Sequence, residues 1–181
     1  MASRSTIDRP AAKQGGRDLY ITRLFDAPRE VVWKAWTDPE YFKRWWGPKG
    51  FTVPSVSIDL RPGGKYLYCM RGAGADGVVS DIWGTGTYQE IVPQERLVYT
   101  DSFADEKGNI VPASHYGMEG EFPLEMLVTL TFEDLGRRTG FTLRHAGIPE
   151  GEMIELTRGG WNESFDKLVE LLEEDRVRRA A

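Results

Sequence analysis

The chain has two histidines, His115 and His145, and histidine is the side chain whose charge changes most readily near neutral pH. His145 shares strand parity with Phe141 and Leu143, so it is expected to face an apolar interior. A polar ring there must find a partner or a ligand. Two readings stand: a satisfied core histidine, or a hydrogen-bond anchor or general base with Tyr68 or Asp101 as its polar companion. Tyr66, Tyr68 and Met70 share one face of a strand, and Trp83 and Tyr88 lie on a longer one. All are candidate cavity walls, and the tyrosine hydroxyls would need partners or water. His115 lies in a loop, 105–122, of the length that lids have. With Glu119 or Glu121 it has no metal-ligand spacing signature, and neither a metal nor a cofactor is expected.

Trp33, Trp36, Trp45 and Trp46, four of the six tryptophans, fall between Ala27 and Pro48. They suit either an aromatic wall for a flat lipophilic ligand or the packing of two short helices on a sheet. Trp36 fits a core position; Trp45 and Trp46, just before Gly47-Pro48, fit a mouth. Gly159-Gly160 stands inside a helical pattern, where each glycine costs roughly 1 kcal/mol relative to alanine. Such a pair needs a reason: a ligand close to the backbone or a flexing helix, or else a bend or close packing over the sheet. Cys69 in an apolar strand reads as a small hydrophobe. Glu90 with Arg96, and Arg61 with an acid on the neighbouring element, read as structural ion pairs.

The elements that must position these residues follow from pattern. Pro28, and then Asp38-Pro39-Glu40, mark two helix starts, and Gly47-Pro48 marks a stop. Strands are predicted over 19–26, 51–60, 64–71, 79–92, 96–104, 124–134 and 139–146, with turns at Pro62-Gly63-Gly64 and Leu135-Gly136-Arg137. Absence of helices between strands means an antiparallel sheet. Met126, Val128, Leu130 and Phe132 form one inward face; Thr129, Thr131, Thr142 and Arg144 point away. Trp161, Phe165, Leu168 and Leu172 give 150–179 an apolar helical stripe that must lie on that sheet. A wide curled sheet is roomier than one helix, so the remaining volume is either packed or left as a cavity.

Composition bounds the rest. With 181 residues, 40% hydrophobic and 28% charged, the chain suits one globular domain. A net charge of -5 argues against a nucleic-acid partner. Apolar runs are too short for a membrane span. Residues 1–17 read as a disordered tail lacking a signal peptide's apolar core, and 18–179 as the domain. A single cysteine agrees with a cytoplasmic location.

Ordered motifs then bring a resemblance. The run A-P-x-x-V-V-W-x-A-W-T-D-P-x-x-x-x-x-W-W-G-P (27–48), D-L-R-P-G-G (59–64), G-x-Y-x-E-I-x-P-x-E-R-L-V-Y-T (86–100) and Gly160-Trp161 resemble the heat-shock-protein-90 ATPase activator homologue group, within the START/SRPBCC superfamily. The resemblance spans Leu19 to about Glu174. It implies an α+β helix-grip fold: a curved antiparallel sheet of about seven strands wrapped around a long C-terminal helix, with two short helices after the first strand. It also implies a deep cavity between sheet and helix.

The favoured reading is a binding protein enclosing a small lipophilic or aromatic ligand. The expected ligand-binding residues are Trp36, Trp45, Trp46, Tyr66, Tyr68, Trp83, Tyr88, His145, Gly160, Trp161 and Phe165. A second is a cyclase, dehydratase or hydrolase-type enzyme on the same scaffold, which needs inward polar groups that converge. A third is a chaperone ATPase-activator-like interaction module with an exposed apolar patch near Trp45-Trp46. Activators of that kind carry a separate N-terminal domain, where this chain has a short polar segment, so chaperone binding is the least expected. Association into a homodimer is left open.

Overall fold

The computed structural model describes residues 16–181. The expected disorder of 1–15 lies outside the described residues; Gly16 and Arg17, assigned to the same tail, instead open the first strand opposite Pro149 and Ile148. The elements run β1 (Gly16–Phe25), α1 (Arg29–Thr37), α2 (Pro39–Phe42), β2 (Thr52–Ile58), β3 (Lys65–Ala73), β4 (Val79–Val92), β5 (Arg96–Ala104), a 3-10 turn (Ala113–Tyr116), β6 (Met126–Leu135), β7 (Arg138–Pro149) and α3 (Glu152–Ala180). The strands form one seven-stranded sheet in the order β1-β7-β6-β5-β4-β3-β2, antiparallel at every pairing. This is the α+β helix-grip arrangement.

Local chemistry sets the boundaries. Asp38 closes α1 and caps α2, its carboxylate accepting from the Glu40 N–H at 2.9 Å with Pro39 in the first turn. The second helix ends at Phe42, short of the Gly47-Pro48 stop. The chain tightens there, with the Arg44 N–H donating to the Tyr41 carbonyl at 3.0 Å and the Trp45 N–H to the Phe42 carbonyl at 3.3 Å. In the turn from β6 to β7, Gly136 takes φ +77°, a conformation that only glycine adopts cheaply, and the Asp134 carboxylate accepts its N–H at 2.9 Å.

Alternation puts Leu130, Leu143, Phe132 and Phe141 on the concave face, where they pair across β6 and β7. Phe165 and Leu168 of α3 pack into that face, both wholly buried. Around Phe165 the rings of Phe25, Trp36, Trp45, Phe141 and Trp161 lie with centroids 5.4–6.3 Å away. On β4, Gly84 and Gly86 face Tyr68 and Tyr66 across the ladder. A Cβ at either would sit 2.4–2.6 Å from the tyrosine ring or hydroxyl, so the glycines make room for the two rings. Glu90 and Arg96 pair at 3.1 Å as expected. Arg61 pairs with Asp59 of its own turn at 2.8 Å rather than with another element.

Candidate functional site

The N-terminal half of α3 does not fill the bowl. Beneath it lies a cavity of about 390 Å³. Its walls come from four places: Trp46, Gly47 and Pro48 after α2; Tyr68, Met70, Asp101 and Phe103 on the sheet; Met118, Glu119 and Phe122 in the loop; and Met153, Thr157, Gly160 and Trp161 on α3. His145, Met126 and Ile148 complete it. The Trp46 ring stands edge-on to both Tyr68 and Trp161, each centroid 5.2 Å away.

Lys167 pins one wall in place. Its ammonium donates to the carbonyls of Trp46, Gly47 and Phe51 at 3.0–3.2 Å, tying the loop after α2 to α3. Burial lowers its pKa, opposed by Glu163 and Glu170. Tyr116 fastens the opposite loop: its hydroxyl donates to the Ala104 carbonyl and accepts the Trp83 N–H at 3.1 Å.

The polar end of the cavity is a chain of four side chains, Trp161, His145, Asp101 and Tyr66. Trp161 Nε1 donates to His145 Nδ1 at 3.1 Å. An indole N–H only donates, so Nδ1 carries no proton and the neutral imidazole holds its proton on Nε2. That nitrogen is buried and lacks a hydrogen-bond partner. It lies 3.5 Å from Asp101, whose other oxygen is 3.2 Å from the Tyr66 hydroxyl. Burial pushes the His145 pKa down, opposed by the Asp101 charge. Burial likewise pushes the Asp101 pKa up, opposed by His145 and the Tyr66 hydrogen bond. Tyr68 is raised well above the usual phenol range, mainly by burial, with the Trp46 N–H acting against it. That N–H is itself buried without a properly directed acceptor.

The structure thus gathers Trp46, Tyr68, His145, Gly160 and Trp161 of the expected site around one space. The other expected residues stand elsewhere. Trp36, Tyr66 and Tyr88 border a separate gap of about 20 Å³, which is effectively filled. Phe165 belongs to the solid core, at 0% exposure. Trp45, expected at a mouth, is also at 0% and donates its indole N–H to the Ala35 carbonyl at 2.9 Å. Trp83 pairs in register with Cys69, on the convex face away from the cavity, and borders a surface hollow with Asp105 and Tyr116. Since Trp45 and Trp46 are both buried, they form no exposed apolar patch. His115 lies at the same convex hollow, and no cluster of metal-ligating groups occurs among the described residues.

Sequence reasoning missed Met153 and Thr157. Counting back by four from Trp161 along α3 reaches Thr157 and then Met153, so the helical face was there to extend. Gly159-Gly160 now loses one explanation. A Cβ at Gly159 would meet nothing within 4 Å, and one at Gly160 would reach Pro48 only at 3.8 Å. Close packing of the protein does not require these glycines.

A curved sheet gripping a long helix, with a cavity open to the surface between them, defines a helix-grip protein. Residues 26–173 match the family of activator of Hsp90 ATPase homolog 1-like proteins, and the chain belongs to that family. Among solved structures it is similar to a protein of Chromobacterium violaceum, with 30% identity over 86% of this chain and 96% of that one, at a TM-score of 0.67. A family protein of Silicibacter pomeroyi shares the fold, with 22% identity over 88% and 99% of the two chains and a TM-score of 0.67. CalU16 of Micromonospora echinospora shares it at 23% identity over 90% and 80%, with a TM-score of 0.58. Among curated proteins, none matches this sequence. No helix among the described residues is long and apolar enough to cross a membrane.

Proposed function

We propose that this protein binds a small lipophilic molecule in the cavity between the sheet and α3, acting in the cytoplasm. The observation that carries the reading is the cavity of about 390 Å³ walled by Trp46, Tyr68, Met70, Phe122, Met153 and Trp161. Its size falls in the range that houses small ligands, and its wall is mostly apolar with a few polar groups. Affinity would come chiefly from apolar burial, about 25 cal/mol per Å² before ordering costs.

The test is native mass spectrometry of gently purified protein, with thermal shift across a panel of lipophiles and aromatics. A retained small molecule, or a melting point raised by panel members, is expected. Neither outcome in both assays would end the reading.

One observation favours a second reading, an acid–base enzyme on the same scaffold. His145, Asp101 and Tyr68 all border the one cavity. On that reading bound ligand is recovered chemically altered, and His145→Gln slows the conversion by roughly 100-fold or more while binding persists. Recovery of unaltered ligand from the wild-type protein speaks for binding alone.

A further inference from the structure

The cavity's unpaired groups carry information about what it holds. Trp46 and His145 are buried to 9% and 3% exposure; His145 Nε2 lacks an acceptor, and Trp46 Nε1 makes no hydrogen bond of normal geometry, with only the Tyr68 hydroxyl beside it. Both are donors: an indole nitrogen always is, and Nε2 bears the imidazole proton because Nδ1 accepts from Trp161. Buried donors without acceptors are uncommon in folded proteins and call for an explanation. At the same end stands Asp101, 3.5 Å from His145 Nε2. Glu119 is the other ionisable acid of the lining, and the lining contains no lysine or arginine. The nearby cation of Lys167 is outside the lining and is taken up by the carbonyls of Trp46, Gly47 and Phe51.

From these groups, and resting on the ligand-binding reading above, we infer that the cavity selects uncharged lipophiles tipped with an acceptor oxygen, a ketone or hydroxyl, and rejects lipophilic anions such as carboxylates. The acceptor oxygen supplies what the His145 N–H lacks. A carboxylate also offers acceptors, but it brings a like charge beside Asp101 in a low-dielectric space, with no guanidinium or ammonium to balance it. The imidazole does not rescue it, since protonating the ring would require a second N–H on the nitrogen that already accepts from Trp161. Trp46 and Trp161, packed edge-on to each other at 5.2 Å, give the lining aromatic surface that an apolar body can contact.

The experiment compares four probes of one shape by isothermal titration calorimetry: naphthalene, methyl naphthyl ketone, naphthoate and naphthylmethylammonium. The ketone is expected to bind roughly tenfold tighter than naphthalene and at least tenfold, roughly, tighter than naphthoate. Asp101→Asn, which retains the shape of the side chain, is expected to narrow the gap between ketone and naphthoate several-fold. His145→Phe is expected to bring the ketone down to the affinity of naphthalene. Naphthoate binding to the wild-type protein as tightly as the ketone would overturn the inference, whether or not the variants fold. Naphthylmethylammonium binding tightest would overturn it in favour of a cation site formed by Asp101 and the aromatic rings. If naphthalene and ketone bind alike, the selectivity fails but the cavity reading stands. If none of the four binds and the broader lipophile panel also fails, both fall together.

Discussion

Trp161 donates its indole N–H to His145 Nδ1, so the charge state of the imidazole is tied to the packing of α3. In the unfolded chain a histidine takes up a proton near pH 6.5. In the folded protein burial drives that value lower, the opposing Asp101 charge being the smaller effect. Between the two values the unfolded state binds more protons, so this residue's contribution to stability rises with pH across the window and is lost as pH falls below about 6.5. Asp101 works in the opposite sense. Burial raises its folded value above about 3.9, so the folded state binds more protons there, and stability falls as pH rises through the window. The denaturation midpoint of the wild-type protein is therefore expected to drop between pH 7 and 5 by more than that of His145→Gln, which keeps an acceptor for Trp161 but does not titrate. Urea melts of the two proteins at several pH values measure this. His115 is present in both, so the difference reports His145 together with its coupling to Asp101. Parallel curves would show that the ring is not held neutral by its surroundings.

Element α3 does two jobs along one axis, and its glycines mark the change between them. From Trp161 onward the helix presents Phe165, Leu168 and Leu172 to the sheet, all buried. Before that point it presents Met153, Thr157 and Gly160 to open space. An alanine at Gly160 meets only ordinary contact with Pro48 and raises helix propensity. Gly160→Ala is thus expected to stabilise the ligand-free protein by about 0.5–1 kcal/mol and to weaken ligand binding, because its methyl group takes up wall space. Thermal melts and titration of the same variant check both halves. A destabilised variant would mean that the protein's own backbone needs glycine there. The helical stripe and the strand parities were legible in the sequence because each repeats with a fixed period. Trp83 shows what careless use of that period costs: it and Tyr88 are an odd number of residues apart on β4, so they cannot share a face, and only Tyr88 turns inward. Trp45 was not legible in the same way. It sits in the irregular turn after α2, where no period applies, and its inward direction is fixed by the Ala35 carbonyl brought near by the tertiary fold.

Across the whole molecule, packing is graded from one end of the bowl to the other. At the solid end Phe25, Trp36, Phe141 and Phe165 interlock, with Phe141 and Phe165 5.4 Å apart and Phe25 and Phe141 5.5 Å apart. At the other end about 390 Å³ stays unfilled under the first turns of α3. A void is a small difference between a large enclosed volume and the large summed volume of side chains. Composition and pattern estimate neither well enough, which is why the sequence foretold the bowl and its helix but left the interior open. The gradient has a measurable consequence, because the cost of truncating a side chain depends on how many neighbours lose contact and whether the space left is new. Phe165→Ala opens a hole in close-packed surroundings and is expected to cost about 3–5 kcal/mol. Met153 is only half-buried, and Met153→Ala enlarges a space that already exists, so a loss of about 1 kcal/mol or less is expected, below the range for fully buried methionine. Equilibrium denaturation of the ligand-free variants distinguishes the two sites. If Met153→Ala costs as much as Phe165→Ala, the cavity end is packed as tightly as the core and the graded interior is wrong. If the small cost grows once a ligand is present, the side chain gains its packing partner from the guest, and the emptiness at that end is the part of the fold reserved for binding.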